Sequence, residues 1–220
     1  MRVCYIILTC QMFLYTRTKW QKETFLKDVD EKDVYFIANK NYSFLGDYGS
    51  NIYGWNTLDR YEGCPLKYIR FFQNMDLDYD WYVFIDDDSF IHTKHLSNFL
   101  SRHNPEEKLC MGKRINGSET KEKLKIDFMQ GGAGFVLSKP LYIELKDYIR
   151  NTEEEKLHVS RHGDHSLALW IHPFDNIQYI HDSRFHDGPH NNEEELQDFI
   201  SFHYVKSFND FKFYYEESKK

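Results

Sequence analysis

The chain has 220 residues, of which 41% are hydrophobic and 17% aromatic, and its formal net charge is −7 at pH 7. This composition is typical of a folded protein with a sizeable core and excludes a disordered chain. The acidic balance and the lack of a basic stripe argue against nucleic acid as a partner, because such binding needs clustered Lys and Arg. We therefore expect one domain over residues 1–220.

Strand-like and helical segments alternate along the chain, which predicts an α/β fold with a mixed, mostly parallel sheet flanked by helices. The apolar patterns predict strands at 2–9, 33–38, 81–85, 108–112, 126–129, 135–137, 177–181 and 199–205. They predict helices at 18–29, 65–75, 94–103, 138–150, 164–171 and 207–217. The stretch 39–62 has no clear period and is predicted to be a surface excursion near a ligand, and 182–195 is predicted to be loop.

The N-terminal apolar run at 3–8 is far too short to span a bilayer and reads as the first strand. We expect a soluble chain without a membrane span, with a cytoplasmic location, including a viral or microbial origin, favoured over an anchorless Golgi-type catalytic domain. The four cysteines have neither C-x-x-C spacing nor the density of a disulfide scaffold, and Cys4 and Cys10 are expected to pack in or beside the first strand.

Three consecutive aspartates, Asp86, Asp87 and Asp88, follow directly after the predicted strand 81–85. Crowding like charges is unfavourable unless a cation lies among them. In open α/β sheets ligands bind at the carboxyl ends of the strands, where hard oxygen ligands suit Mg²⁺ or Mn²⁺. The sequence thus favours a metal site here, and the alternative is an acidic turn in solvent, since Asp is a common turn residue.

A second segment, Gly131-Gly132-Ala133-Gly134, offers backbone freedom or close approach of a ligand to main chain. It lacks the spacing and the Lys-Ser/Thr ending of phosphate loops. A tight β-turn and a platform for a bulky ligand are equally compatible with it. Asp164 opens the predicted helix 164–171, where it would be an N-cap or a general base pointing into a cleft.

Histidines are concentrated in the last third of the chain, and single surface histidines are common. His186, in a predicted loop, is a candidate to supply an imidazole to a metal held by the aspartates, with His203 as its competitor. Arg17 and Lys67 are the basic residues that could meet a diphosphate, although each taken alone reads as a solvated surface charge.

Taken in this order, the segments resemble the fringe-type family of inverting β-1,3-glycosyltransferases. That family includes the fringe N-acetylglucosaminyltransferases and the galactosyltransferases that build the first extension of mucin-type O-glycans. The resemblance rests on residues 81–91, with their DxD-type aspartates, on 129–139, on Asp164, and on the closing segments 185–186 and 201–205.

The resemblance implies a GT-A fold, a UDP-sugar donor, Mn²⁺ (or Mg²⁺) on its diphosphate, and a glycan or glycoprotein acceptor. Asp88 is then the main metal-binding carboxylate, with Asp86 and His186 as further metal ligands and Asp164 as the base. The same resemblance assigns contacts with the donor's ribose and sugar to Asp86 and Asp87. Further candidates for donor binding are Thr9, Arg17, Lys67, Gly131 and Gly132. The helix after the base departs from the family, because it carries Ala168 where a Gly is usual.

The leading hypothesis is therefore a metal-dependent inverting transferase that moves a hexosyl or N-acetylhexosaminyl group. Phosphoryl transfer or nuclease chemistry also uses aspartate-held metals, but a second carboxylate cluster or basic groove is not evident in the sequence. A catalytically inactive sugar- or nucleotide-binding protein of the same fold is the remaining alternative, and a general base at Asp164 would argue against it.

Overall fold

A computed structural model of the protein describes residues 1–40, 52–119 and 125–220, so part of the predicted surface excursion (41–51) lies outside the described residues. The strands are β1 (Val3–Leu8), β2 (Val34–Ala38), β3 (Ile52–Gly54), β4 (Trp81–Asp86), β5 (Phe90–Ile91), β6 (Leu109–Gly112), β7 (Arg114–Glu119), β8 (Lys125–Met129), β9 (Phe135–Ser138), β10 (Gln178–His181), β11 (Phe185–His186) and β12 (Ser201–Phe202). The α-helices are α1 (Arg17–Glu23), α2 (Cys64–Asn74), α3 (Thr93–Leu100), α4 (Lys139–Asn151), α5 (Gly163–Ile171), α6 (Glu195–Asp198) and α7 (Phe208–Glu217).

Seven strands form the central sheet in the order β10-β6-β9-β4-β1-β2-β3. Strands β3, β2, β1 and β4 are mutually parallel, and β10 is parallel to β6. Strand β9 is antiparallel to both of its neighbours, β4 and β6. The predicted mixed, mostly parallel sheet is therefore confirmed.

The central strands are buried on both faces, which explains their unbroken apolar sequences. Along β4, Val83 and Ile85 pack into the cluster that includes α3 and α7. The alternate residues Tyr82 and Phe84 pack into the opposite cluster with α2, α4 and α5. The sheet thus lies between two helical layers, and only the ends of its strands are available for a site.

The antiparallel direction of β9 decides what meets the end of β4. Phe84, near the end of β4, pairs with Phe135, the first residue of β9. The segment 131–134, which precedes β9, is therefore placed beside the aspartates that follow β4. The end of β1 lies at the same edge, because Leu8 pairs with Asp86.

A small second sheet, in the order β11-β12-β5, extends from this edge. Strand β12 pairs antiparallel with β5, with Phe202 opposite Phe90. Because only Ser89 separates the three aspartates from β5, the residue after β12, His203, lies next to them. Strand β11 pairs with the far side of β12, with His186 opposite Phe202.

Several predicted elements have different limits in the structure. The helix predicted at 18–29 ends at Glu23, where the Thr24 hydroxyl donates to the Trp20 carbonyl at 2.6 Å, and a 3₁₀ turn follows. The strand predicted at 199–205 is confined to Ser201–Phe202, and strands β5, β7 and β11 were not predicted. Strand β3 was also missed, because the predicted surface excursion 39–62 in fact contains this edge strand of the central sheet.

The four cysteines are free; Cys4 is buried, as expected, whereas Cys10 lies at the edge of the cavity described below. No helix in the described part of the chain is long and apolar enough to cross a membrane.

Candidate active site

A cavity of about 440 Å³ opens where the ends of β1 and β4 meet the segment before β9. Nine of the residues predicted from the sequence line it: Thr9, Arg17, Lys67, Asp86, Asp87, Asp88, Gly131, Gly132 and Asp164. His186 does not line it, whereas His203 does. Thr9, the aspartates and the two glycines converge because they adjoin strand ends at one edge of the sheet. Arg17, Lys67 and Asp164 reach the same cavity from α1, α2 and α5.

Two aspartates and one histidine form a group that could hold a cation. One ligand atom from each of Asp86, Asp88 and His203 can be chosen so that all lie within 4.8 Å of one another. Nε2 of His203 is 3.3 Å from Oδ1 of Asp88. Carboxylate oxygens with one imidazole nitrogen form a donor set that suits Mn²⁺ and other divalent first-row metals.

The placement of His186 differs from the sequence prediction. Its ring stacks on Phe202 with centroids 4.7 Å apart, and its Nδ1 is 3.9 Å from Glu195. Strand β12 lies between β11 and the acidic turn, so the His186 side chain is separated from Asp86 and Asp88 by one strand. Among the described residues the imidazole beside the aspartates is that of His203.

The pKa values of the three carboxyl groups are shifted in different directions. Burial, with the nearby Asp88 charge, raises the pKa of Asp86 to about 7. Burial also raises the pKa of Asp87, to about 6, although hydrogen bonds from Arg17 and Thr9 limit the rise. For Asp88 the hydrogen bond and charge of His203 outweigh burial, so its pKa falls below the ordinary value.

Arg17 and Thr9 engage the middle aspartate. The Thr9 hydroxyl donates to Asp87 at 2.8 Å, and the Arg17 guanidinium donates to its other oxygen at 2.9 Å. The same guanidinium nitrogen is 3.4 Å from Asp88, and the guanidinium lies over the Phe13 ring at 3.7 Å. The acidic turn is therefore partly neutralised by α1 before any ligand is present.

Lys67 is neither a surface charge nor a free cation. Its side chain is only 2% exposed, and its ammonium donates to the Thr9 carbonyl at 2.8 Å and to Asp59 at 3.3 Å. The interpretation of Lys67 as a solvated charge is therefore wrong, and its positive charge is already balanced by Asp59.

Asp164, at the start of α5, faces the turn formed by residues 131–134, which we call the glycine turn. One of its oxygens accepts the Gly131 N–H at 3.0 Å, and the other accepts the N–H of His165 at 2.8 Å. The helix begins one residue earlier, at Gly163, and its N-cap is His162. The N-cap interpretation of Asp164 is therefore wrong, and its carboxylate lines the cavity instead.

Ser89 links the acidic turn (residues 86–88) to the glycine turn (residues 131–134). The Ser89 hydroxyl, fully buried, donates to the Gly132 carbonyl at 2.7 Å. The Gln21 amide, also fully buried, donates to the carbonyls of Asp86 and Ser89 at 3.1 and 3.0 Å. Sequence reasoning missed both residues, because single buried polar side chains leave no periodic signal.

Two exposed tyrosines line the cavity and were also not predicted. The Tyr61 hydroxyl is 2.9 Å from Nδ1 of His162. Tyr204 is 51% exposed, has a φ of 60°, and stacks on the His203 ring with centroids 3.9 Å apart. A left-handed backbone at a tyrosine is uncommon, and such strained residues cluster at functional sites.

Three solved structures that the chain resembles are glycosyltransferases. The chain superposes on the WbbM bifunctional glycosyltransferase with a TM-score of 0.56 and 10% identity, covering 97% of this chain and 49% of that one. It superposes on the galactosyltransferase LgtC (TM-score 0.51, 11% identity, 98% and 95% covered). A glycosyltransferase involved in the glycosylation of the PBCV-1 major capsid also matches (TM-score 0.51, 12% identity, 97% and 99% covered).

These superpositions establish the GT-A fold, and the chain spans about half the length of WbbM. The family is established separately, from the sequence. The chain belongs to the Fringe-like family, whose model matches residues 3–214. Family and fold together support a glycosyltransferase.

Proposed function

We propose that this protein is a divalent-metal-dependent, inverting glycosyltransferase that moves a sugar from a UDP-sugar to an acceptor hydroxyl, forming a β-1,3 linkage. The observation that carries the proposal is the convergence of Asp86, Asp88 and His203 in the same cavity as Asp164. The transferred group is a hexosyl or N-acetylhexosaminyl residue, and the acceptor is a glycan or glycoprotein. A single domain over residues 1–220 carries this activity.

The residues present fit a divalent cation. Burial and repulsion among the aspartates raise the pKa of Asp86 to about 7, which a cation would reverse by favouring the charged carboxylate. Asp86, Asp88 and His203 would hold it, and Asp87 would remain engaged with Arg17 and Thr9. When bound, the cation supplies Lewis-acid stabilisation of the negative charge on the leaving diphosphate.

Asp164 is the proposed general base. Each of its oxygens accepts one backbone N–H, from Gly131 and His165, which fixes the orientation of the carboxylate. A carboxylate oxygen has two lone-pair sites, so each retains capacity to accept the proton of an acceptor hydroxyl. The hydroxyl oxygen then attacks the anomeric carbon opposite the UDP, which leaves with the bonding electron pair.

The proposed metal site is tested by comparing His203 with His186, since each follows a Phe in the sequence. Calorimetry should measure Mn²⁺ affinity, and UDP affinity with and without Mn²⁺, for His203→Ala, His186→Ala and Asp88→Ala. We expect His203→Ala and Asp88→Ala each to weaken Mn²⁺-dependent UDP binding by tenfold or more, about 1.4 kcal/mol. His186 is separated from the aspartates by β12, so His186→Ala should bind Mn²⁺ and UDP like the wild type and is the matched control.

Unchanged Mn²⁺-dependent UDP binding in folded Asp88→Ala would contradict the metal assignment. A larger loss of affinity from His186→Ala than from His203→Ala would favour His186 as the metal ligand, as predicted from the sequence. A screen of UDP-sugars for hydrolysis and transfer then identifies the donor. Tight Mn²⁺–UDP binding without turnover of any UDP-sugar would favour the inactive binding protein instead.

A further inference from the structure

The cations that could meet the diphosphate of a bound nucleotide sugar are mostly already neutralised. Arg17 is paired with Asp87 at 2.9 Å and lies 3.4 Å from Asp88. Lys67 is buried and paired with Asp59. A departing nucleoside diphosphate gains negative charge, so the site would benefit from a cation without a carboxylate partner.

Lys206 is such a cation, and it belongs to a stack built on a metal-site residue. The His203 ring stacks on the Tyr204 ring, with centroids 3.9 Å apart and planes 21° apart. The Lys206 ammonium lies 4.7 Å from the centroid of the same Tyr204 ring. The segment 203–206 therefore carries an imidazole, a phenol ring and an ammonium next to one another, and the imidazole is in contact with Asp88.

The backbone holds this segment against the acidic turn. The Val205 N–H donates to the Asp88 carbonyl at 2.9 Å, so the main chain is tied to the residue whose side chain contacts His203. Tyr204, between these two points, has the left-handed φ of 60°. Such a conformation persists only where surrounding contacts over-determine it. Tyr204 itself lines the cavity, and the Lys206 ammonium lies over its ring.

The Lys206 ammonium is available to a ligand. Its side chain is exposed and forms no ion pair within the described residues, where it lies over the Tyr204 ring. An exposed cation–π contact is weak, so the ammonium can exchange it for a phosphate oxygen.

We propose that Lys206 binds the diphosphate of the nucleotide donor at its β-phosphate and stabilises the charge that develops there. This inference rests on the proposed function. In the transfer step the acceptor oxygen forms a bond to the anomeric carbon and its proton goes to Asp164. The bond from that carbon to the β-phosphate oxygen breaks with its electron pair, and the Lys206 ammonium, with three N–H donors, offsets the new charge.

Arg60 is the alternative cation, because it lines the cavity itself and its side chain has no hydrogen bond or ion pair within the described ranges. Its neighbour Asp59 accepts from Gln11 and Lys67, and its neighbour Tyr61 contacts His162. None of these contacts links Arg60 to Asp88 or His203, whereas the stack links Lys206 to both.

The experiment compares UDP with UMP, which lacks the β-phosphate, by calorimetry in Mn²⁺. Lys206→Met should weaken UDP binding about tenfold or more, the size of a lost charge-assisted hydrogen bond, and should weaken UMP binding much less. Lys206→Arg should retain most of the UDP affinity, and affinity for Mn²⁺ alone should not fall. Lys212→Met is the matched control, since Lys212 is an exposed lysine on α7 paired with Glu216 at 3.7 Å.

An unchanged ratio of UDP to UMP affinity in Lys206→Met would overturn the proposal, as would a selective loss of UDP affinity in Arg60→Met instead. Wild-type protein that binds no UDP with Mn²⁺ present would overturn the proposed function itself and this inference with it.

Discussion

Gly132 and His203 are in such close contact that a side chain at position 132 has no room. A Cβ placed on Gly132 would lie 2.1 Å from Cε1 of the His203 ring and 2.3 Å from both ring nitrogens. Contacts under 3.0 Å do not occur for real Cβ atoms, so the ring would have to move. The glycine turn therefore provides the space that lets His203 reach Asp88, which is a use of glycine for close approach.

The first prediction follows from this contact. Gly132→Ala should displace the His203 ring and weaken Mn²⁺ affinity by about tenfold or more, or about 1.4 kcal/mol. Titration calorimetry measures the affinity, and circular dichroism checks that the fold persists. Gly188→Ala is the control, because a Cβ on Gly188 meets nothing within 4 Å. If Gly132→Ala bound Mn²⁺ as tightly as the wild type, the assignment of His203 as a metal ligand would be wrong.

The second prediction concerns the link between the acidic and glycine turns. Ser89→Ala removes the hydroxyl that donates to the Gly132 carbonyl at 2.7 Å and leaves that carbonyl short of a partner. We expect a loss of about 1–3 kcal/mol in the free energy of unfolding, measured by urea denaturation. Ser101→Ala, which removes an exposed hydroxyl that donates to the Asn98 carbonyl at 2.9 Å, should change stability much less. Equal stabilities for the two variants would contradict a structural role of Ser89.

The third prediction tests the base. Asp164→Asn should retain Mn²⁺ and UDP binding, because Asp164 is not among the cation-site residues. Turnover should fall by about two to four orders of magnitude, the usual contribution of a positioned base. Asn can accept the N–H of Gly131 or of His165 with its single carbonyl oxygen, so some local loosening is expected as well.

A stability measurement separates these two effects of Asp164→Asn. Local loosening alone would lower the melting temperature without a rate loss of this size. Near-normal turnover in the presence of a competent acceptor would leave Asp164 as a positioning residue for the glycine turn.

The fourth prediction is a pH dependence of cation binding. The pKa values of Asp86 and Asp87 in the folded protein are about 7 and about 6, above the ordinary value of 3.8. At pH values between 3.8 and these raised pKa values, the two carboxyl groups keep protons in the folded state that they have released in the unfolded chain. The contribution of these two groups to folding stability is therefore present at low pH and lost as pH rises through 6 and 7.

A cation competes with those protons, so it should restore more stability where the carboxyl groups are ionised. We expect Mn²⁺ to raise the melting temperature clearly more at pH 7.5 than at pH 5. Differential scanning calorimetry checks this, with Asp88→Ala as the variant that should show little shift at either pH. A shift that is larger at pH 5 would mean that the cation binds elsewhere.

The sequence by itself determined the parts of the site that are local in the chain. The three aspartates follow an apolar run that is typical of a buried strand, because it is rich in aromatic and β-branched residues and no Gly or Pro interrupts Trp81–Ile85. The glycine turn at 131–134 and Asp164 at the start of α5 were marked in the same way, by residue type beside a recognisable element. The α/β class followed from the alternation of these elements.

Only the tertiary structure decided which distant residues meet those local motifs. His186 and His203 have similar surroundings in the sequence, and the choice between them depends on β12 lying between β11 and β5. Likewise, Arg17 pairs with Asp87, 70 residues further along the chain. Strand order, register and ion pairing across the fold arise from packing among distant segments, and no local pattern of residue types encodes them.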